Sequence, residues 1–365
     1  MDESRAMLTK LVYVLTCASE GNYIEQALLA IWSARQHNPS AQIILFVDDV
    51  TDKVMSEGRN EVLKYVTEKI VIPFDADKTM VYRSRWIKTS VRRLVVGDYL
   101  FVDCDTITTR SLEEIDLLGC KMGAVPDSHL AVREFGKDLL NASKAKVAPL
   151  GIDLEKEEFY FSSGVLYVKD TPETHALYDK WHEVWLHGVQ NGVNIDQPSL
   201  AKANIEAGHL IERIDDGLNC VIYTQPAFAK DASILHFTAF RNPSWLFSKR
   251  VLAMIRKEEG IQDWMMPFIL DPVSTYIPFR YTVSRMSFNE LIRIIHTMSK
   301  AAMVYSQHVD GSFSDMQPSA RWQKRAKGLF KKKCFFLGSA ACLFPSWINI
   351  KVNRSNPSVP NVCSK

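Results

Sequence analysis

The chain has 365 residues, of which 47% are hydrophobic and 24% charged, and its net charge is +2. This length and composition predict an ordinary globular protein with a sizeable core, built as one large domain with an appendage or as two domains. Seven scattered cysteines without a Cys-x-x-Cys pair argue against a disulfide framework and a zinc knuckle, and the lack of a signal-peptide pattern or an 18-residue apolar run predicts a cytoplasmic protein.

The first hundred residues alternate apolar runs with amphipathic segments. Strands are predicted over 10–17, 41–49, 70–74 and 99–102, and helices over 23–36, 56–69 and 83–96. Such alternation predicts an α/β fold, with a mostly parallel sheet and helices on both faces. In sheets of this kind ligands bind beyond the carboxyl ends of the strands. Asp48 and Asp49 follow the second strand and are interpreted as turn residues.

Two aspartates follow the fourth predicted strand. Asp103 and Asp105 are two residues apart, so in an extended chain their side chains point the same way. Neighbouring carboxylates repel each other unless a cation lies between them. A solvated strand end with a turn-forming aspartate is the alternative, and the pattern alone leaves both interpretations open.

The later part of the chain is predicted from the same periodicities. It has a polar loop or helical excursion over 127–157, strands over 159–168 and 232–238, and helices over 172–188, 194–204 and 288–307. We expect a catalytic domain over 1–245, a helical extension over 246–315 and a basic, partly apolar tail over 316–365.

Six short motifs occur in an order typical of one enzyme family. They are SEGNY, RSRW, FVDCDT, YFSSGVLYV, DQPSL and LHFTAFRNPSW. Over about residues 11–245 the chain resembles the nucleotide-sugar-dependent retaining glycosyltransferases of the glycogenin and galactosyltransferase group, family 8. The resemblance implies a Rossmann-like GT-A fold, a UDP-sugar donor, a saccharide or glycolipid acceptor and a divalent metal ion.

The resemblance also implies a metal site and a catalytic pair. Asp103, Asp105 and His236 match the family's metal ligands, and an imidazole beside two carboxylates favours Mn²⁺ over Mg²⁺. A lone histidine in a strand is otherwise more often a hydrogen-bonded core residue. Asp196 matches a residue that holds sugar hydroxyls, and Gln197 one that lies on the face of the anomeric carbon opposite the leaving group. Asp196 also fits the role of a helix N-cap.

The nucleotide-sugar-binding residues implied by the resemblance are Glu20, Asn22, Tyr23, Arg85, Cys104, Ser162 and Arg241. Tyr23 would stack on the base and Arg85 would contact phosphate or the metal carboxylates, although Arg83 and Lys88 are close enough to compete for that assignment.

Three of these positions depart from the family pattern. Glu20 replaces the usual Asp, which puts base selectivity in doubt, and Ser162 replaces an Asn, which affects sugar recognition. Arg241 stands in for a phosphate-binding Lys in a segment where Asn242 and an inserted Ser also depart. If Arg241 does not serve as the cation, phosphate binding is impaired.

The C-terminal tail is strongly basic. No Asp or Glu follows Asp315, and residues 316–365 carry ten basic side chains, whereas the preceding residues carry 34 basic and 42 acidic ones. Residues 321–345 join a basic cluster to an apolar run too short to span a bilayer, which suggests peripheral attachment to an anionic membrane surface, on its inner face. A disordered tail is the alternative. The blocked pattern of aromatic and basic residues does not favour nucleic acid.

Two other functions remain open on sequence grounds. A haloacid-dehalogenase-type phosphatase also places Asp-x-Asp after a strand and uses Mg²⁺, and Asp215 and Asp216 offer a later acid pair, but Ile107 stands where that family has Thr. A degenerate GT-A fold that binds nucleotide without turnover is the second alternative.

Overall fold

The computed structural model describes residues 7–222, 228–229, 231–238 and 246–272, which lie in one structural unit. The predicted helix over 288–307, the tail over 316–365 and Arg241 lie outside these residues, so the corresponding predictions stay predictions.

The described residues form ten strands and eight α-helices. The strands are β1 (Lys10–Leu15), β2 (Ile43–Asp48), β3 (Glu68–Ile72), β4 (Tyr99–Val102), β5 (Thr106–Thr108), β6 (Met122–Pro126), β7 (Phe161–Val168), β8 (Ile211–Arg213), β9 (Cys220–Val221) and β10 (Ile234–His236). The helices are α1 (Tyr23–His37), α2 (Asp49–Ser56), α3 (Met80–Leu94), α4 (Lys137–Val147), α5 (Pro172–Gln190), α6 (Asp196–Glu206), α7 (Lys249–Lys257) and α8 (Met266–Leu270).

Seven strands form the main sheet, in the order β3-β2-β1-β4-β7-β6-β8. The pairs β3–β2, β2–β1, β1–β4 and β6–β8 are parallel, whereas β7 is antiparallel to both of its neighbours, β4 and β6. The predicted α/β class with a mostly parallel sheet is confirmed.

Helices cover both faces of this sheet because β1 is apolar on both sides. Leu11, Tyr13 and Leu15 pack in the same cluster as the buried side chains of α1. Val12, which points the opposite way, packs with Ile87 of α3 and with side chains of α5 and α6. Strands buried on both faces read as continuous apolar runs, which explains why these strands are recognisable in the sequence.

The predicted helix over 56–69 is wrong. The helix of this region is α2, which begins at Asp49 because Asp48 caps it, accepting a hydrogen bond of 2.8 Å from the Thr51 amide. Gly58, with a φ of +120°, follows its end. The residues beyond form a short 3₁₀ turn and then the edge strand β3. Asp48 and Asp49 are therefore helix-start residues, and Asp48 also pairs with the buried Arg83.

A second, three-stranded sheet has the order β5-β10-β9. β5 begins directly after the Asp103–Asp105 turn and pairs antiparallel with β10, so that His236 lies opposite Thr106. β9 pairs with the other side of β10 in the parallel direction. This small sheet brings the end of β10 to the carboxyl end of β4.

A buried histidine joins α3 to α5. Nδ1 of His182 lies 2.7 Å from the Thr89 hydroxyl, and its ring contacts those of Trp86 and Trp185. Burial, assisted by Arg93, lowers the pKa of His182 to about 4. Between that value and the ordinary 6.5 the unfolded chain binds a proton that the folded chain does not, so stability is lost as the pH falls through this range.

We therefore expect His182 to make the free energy of unfolding fall by about 1 to 2 kcal/mol between pH 7 and pH 5. Urea denaturation at both pH values should show this loss in the wild type and a smaller one in His182→Asn, which keeps an acceptor near Thr89. His187→Asn, at an exposed position on the same helix, is the matched control. Equal pH dependence in the wild type and His182→Asn would contradict the expectation.

Candidate active site

Three potential metal ligands converge beyond the carboxyl end of β4. One ligand atom each from Asp103, Asp105 and His236 lie within 4.8 Å of one another. The amide of Asp103 donates to the Gly164 carbonyl at 2.8 Å, and the amide of Phe237 donates to the Asp105 carbonyl at 2.9 Å. The turn that carries the two aspartates is thus fixed to β7 on one side and to the end of β10 on the other.

His236 is held by hydrogen bonds on both ring nitrogens. Nε2 lies 3.1 Å from Asp105 Oδ1, and Nδ1 lies 2.9 Å from the side-chain oxygen of the buried Asn219. Burial lowers the pKa of His236, but Asp105 and Asp103 more than offset this, so the pKa is raised above its usual value. His236 is therefore a buried, hydrogen-bonded histidine, as the alternative describes, and one of its two partners is Asp105.

The absence of a side chain at residue 164 makes room for this cluster. A Cβ on Gly164 would lie 2.4 Å from Cε1 and 2.8 Å from Nδ1 of His236, and 3.1 Å from Oδ2 of Asp103. Two carboxylates and an imidazole, packed against this glycine, form a donor set that suits Mn²⁺ or Mg²⁺. The residues present therefore fit a divalent cation.

The carboxylate of Asp196 is linked through Lys88 to Asp103, one of the potential metal ligands. Its Oδ1 is 2.8 Å from Arg85 Nε and its Oδ2 is 3.0 Å from Lys88 Nζ. Burial alone would raise the pKa of Asp196, but Arg85, Lys88 and a hydrogen bond from Ser163 hold it well below its usual range. Asp196 is therefore ionised at neutral pH. Ile195 occupies the N-cap position of α6, so the interpretation of Asp196 as the helix cap is wrong.

Two basic residues of α3 both contact Asp196, because they are three positions apart and therefore share one face of the helix. Arg85 contacts Asp196, and Lys88 contacts both Asp196 and Asp103, at 3.0 and 3.1 Å. Arg83 instead contacts Asp48, away from this cluster. Of the three basic residues in RSRWIK that compete for the assignment, Arg85 and Lys88 contact the candidate site and Arg83 does not.

Gln197 follows Asp196 and is oriented by two acceptors. Its Nε2 donates to the Phe161 carbonyl at 3.0 Å and lies 3.3 Å from Asp127 Oδ2. The amide oxygen is therefore the end directed away from Asp127. Asp127, which follows β6, thus contacts a predicted site residue but was not itself predicted from the motifs.

The loop that precedes α1 is held by two arginines. Arg59 donates to the carbonyls of Ser19 and Gly21 at 2.8 and 2.7 Å, and Arg256 of α7 donates to Asn22 Oδ1 at 2.7 Å. Both guanidinium groups also pair with the buried Glu25. Asn22 therefore has a structural partner in Arg256.

The two flanking residues of the predicted base site lie in different surroundings. Glu20 is exposed, whereas Tyr23 is partly buried. Loss of solvent and the neighbouring Cys17 raise the pKa of Tyr23, and the charges of Arg85 and Asp105 act on its hydroxyl. Tyr23 thus lies within electrostatic reach of Asp105, one of the potential metal ligands.

Two further predicted residues contact the backbone or a neighbouring side chain. Cys104 lies between the aspartates, its thiol 3.4 Å from the Val14 carbonyl, and burial raises its pKa well above the ordinary value. The Ser162 hydroxyl accepts from the Asn219 side chain at 3.1 Å and from the Gly164 amide at 3.3 Å. Ser162 therefore supports Asn219, which in turn holds His236.

The acid pair considered for a phosphatase has other partners. Asp215 accepts from the Gly217 amide at 2.8 Å, and Asp216 pairs with Arg213 at 2.9 Å. Within the described residues, Asp103, Asp105 and His236 are the one group of three or more His, Cys, Asp or Glu side chains placed to hold a metal ion. No helix in the described part of the chain is both long and apolar enough to cross a membrane.

Comparison with known proteins gives similar solved structures. No protein-family model matches the sequence. No curated protein matches it either.

Among solved structures, the chain is similar to the glycosyltransferase GlyE of Streptococcus pneumoniae TIGR4, with 18% identity and a TM-score of 0.45 over 75% of this chain and 66% of GlyE. It is similar to the galactosyltransferase LgtC in complex with donor and acceptor sugar analogs, with 13% identity and a TM-score of 0.46 over 71% of this chain and 99% of LgtC. It is also similar to the bifunctional glycosyltransferase WbbM, with 13% identity and a TM-score of 0.43 over 65% of this chain and 47% of WbbM.

The chain thus spans just under two thirds of GlyE and about half of WbbM. Because the identities are 18% or lower and the TM-scores are below 0.5, the function of this chain has to be argued from its own side chains.

Proposed function

We propose that the chain is a metal-dependent glycosyltransferase that moves a sugar from a UDP-sugar to a saccharide or glycolipid acceptor. The observation that carries the proposal is the convergence of Asp103, Asp105 and His236, next to Asp196 with its partners Arg85 and Lys88. A nucleotide sugar carries a pyrophosphate whose charge must be neutralised and a sugar whose hydroxyls must be held, and these two groups of residues meet both needs. The six-motif resemblance supports the same substrate class.

The two aspartates and His236 would hold Mn²⁺ or Mg²⁺. When bound, the cation supplies positive charge that stabilises the departing diphosphate. Asn219 holds Nδ1 of His236, so Nε2 is the nitrogen that would bind the cation, in place of its contact with Asp105.

Asp196 and Gln197 act on the sugar in this proposal. The ionised carboxylate of Asp196 accepts hydrogen bonds from sugar hydroxyls, and Arg85 and Lys88 fix its position. Gln197 donates its amide hydrogens to Phe161 and Asp127. Its oxygen then faces the anomeric carbon and stabilises the positive charge that develops there. An amide is a poor nucleophile, so the leaving phosphate itself assists deprotonation of the acceptor on the same face.

Tyr23 stacks on the base in this proposal, and Arg59 and Arg256 keep the preceding loop in place. Asn22 and Glu20 approach the base and ribose, and Arg241 contacts the distal phosphate. Attachment to an anionic membrane surface through residues 321–345 remains part of the proposal for the acceptor.

Calorimetry with the full chain tests the nucleotide site. We expect UDP to bind in the presence of Mn²⁺ and at least tenfold more weakly in EDTA, because the pyrophosphate then loses its main counter-charge. GDP and CDP, titrated in parallel, report base selectivity. If none of the three nucleotides binds with Mn²⁺, the proposal is wrong.

Turnover separates the proposal from its alternatives. Release of UDP from a panel of UDP-sugars, in the presence of saccharide acceptors and Mn²⁺, would support transfer. Nucleotide binding without cleavage of any UDP-sugar would indicate the non-catalytic fold, and hydrolysis of p-nitrophenyl phosphate would indicate the phosphatase.

A further inference from the structure

A buried ammonium group joins the two halves of the candidate site. The side chain of Lys88 is 3% exposed, and its Nζ lies 3.1 Å from Asp103 Oδ1 and 3.0 Å from Asp196 Oδ2. The ring of Phe101 lies beneath it, with the centroid 4.7 Å from Nζ. One lysine thus contacts a candidate metal ligand and the candidate sugar-binding carboxylate at the same time.

Neither the filling of space in the core nor the neutralisation of Asp196 explains why residue 88 is a lysine. A buried ammonium loses its hydration, and an apolar side chain of similar length fills the same volume without that loss. Asp196 already has a cationic partner in Arg85, at 2.8 Å. The contact that Lys88 adds is the one to Asp103, whose Oδ2 is also only 3.5 Å away.

A fixed positive charge next to Asp103 has two effects of opposite sign. It repels a divalent cation and occupies an oxygen that the cation needs, so it weakens metal binding. It also holds Asp103 and Asp196 at a set separation, which positions the sugar carboxylate relative to the metal site.

We propose that Lys88 is a positioning residue that weakens metal binding in the free protein and couples the metal site to the sugar site. The inference rests on the proposed function for its second part, because Asp196 is assigned there to the sugar. Its first part concerns metal binding alone. A residue with a merely structural role would lower both metal affinity and turnover when it is removed.

Lys88→Met tests the inference with Mn²⁺ alone as the calorimetric probe, without nucleotide. We expect about tenfold tighter binding of Mn²⁺ than in the wild type, since the loss of Lys88 leaves Asp103 without its counter-charge. Turnover of the UDP-sugar found for the wild type should fall at least 100-fold. Lys88→Arg, which keeps the charge, should bind Mn²⁺ within about threefold of the wild type, and Arg93→Met, at an exposed position of the same helix, should change neither quantity.

Thermal unfolding checks that Lys88→Met is folded, and Lys88→Gln, which keeps a hydrogen-bond donor, replaces it if it is not. Equal or weaker Mn²⁺ binding by the folded neutral variant would overturn the inference, even if the wild type binds UDP with Mn²⁺. If the wild type and the variant both fail to bind Mn²⁺, the inference falls together with the metal dependence of the proposed function. If the variant binds Mn²⁺ more tightly but the wild type shows no turnover, the first part of the inference holds, because Lys88 weakens metal binding. The proposed transferase function would then be rejected.

Discussion

Replacing Asp103 and Asp105 together with asparagine should abolish Mn²⁺ binding and the Mn²⁺-dependent part of UDP binding. The two carboxylates supply two of the three clustered ligands, and an amide oxygen is a much weaker ligand than a carboxylate for a hard cation. We expect at least a 100-fold loss of Mn²⁺ affinity in calorimetry. UDP should then bind the variant with the same affinity in Mn²⁺ and in EDTA.

This variant should remain folded. Loss of solvent and the charge of Asp105 raise the pKa of Asp103 more than Lys88 and the other nearby cations lower it, so the ionised carboxylate is costly to bury even beside Lys88. Lys88 keeps Asp196 as a partner, and the backbone hydrogen bonds of the turn do not involve the carboxylates. The thermal midpoint should therefore lie within a few degrees of that of the wild type.

The chain offers a matched control in a second pair with the same spacing. Asp75 and Asp77 are both exposed. Their double replacement with asparagine removes two negative charges without touching the site, so Mn²⁺ and UDP binding should be unchanged. Full Mn²⁺ binding by the Asp103 and Asp105 variant would mean that the cation binds elsewhere, and the proposed function would lose its main support.

Gly164→Ala should weaken Mn²⁺ binding nearly as much as the double asparagine variant, although it removes no ligand. The new Cβ would overlap His236 at Cε1 and press on Asp103 Oδ2. His236 has little freedom to move, because its two ring nitrogens are bonded to Asn219 and Asp105 and its strand lies between β5 and β9. We expect Mn²⁺ affinity to fall at least 30-fold, since displacing one ligand leaves the two aspartates to bind the cation.

The glycine variant is measured by Mn²⁺ calorimetry together with thermal unfolding. Gly119→Ala is its control, because a Cβ at residue 119 meets nothing within 4 Å. The overlap at residue 164 should also lower the thermal midpoint by several degrees. A variant that is destabilised but binds Mn²⁺ as the wild type does would show that the cation does not depend on the position of His236.

Strands β1, β2, β4 and β7 were predictable from sequence because they are almost wholly buried on both faces, whereas the equally buried β6 was missed. Runs such as the one at Tyr99–Val102 are continuous and apolar, and both faces of β1 carry core side chains. The short strands β5, β8 and β9 have two or three residues each, too few for a periodic pattern. The helix over 56–69 was wrongly predicted because Asp48 starts the helix of this region earlier in the chain.

The candidate site was predictable in part, and the reason differs between residues. Asp103, Asp105 and Asp196 stand in short motifs with a chemical meaning, and His236 stood out through the resemblance.

Lys88 was noted only as a competitor of Arg85, because a sequence does not show which of several basic residues on one helix turns inward. Asn219 and Arg256 carry no motif, since each acts through a partner distant in sequence. The roles of the predicted site residues in binding and catalysis stay predictions.

The second sheet has a consequence for the order in which the chain folds. β5 and β10 pair with each other although the segment between them contains β6 to β9 and three helices. Closing so long a loop is entropically expensive, and contacts between distant segments generally form after local ones. During refolding, the helical signal and the pairing of β1 with β2 should therefore return before Mn²⁺ binding does. The proposed metal site would therefore form late in folding, after the first strands of the main sheet have paired.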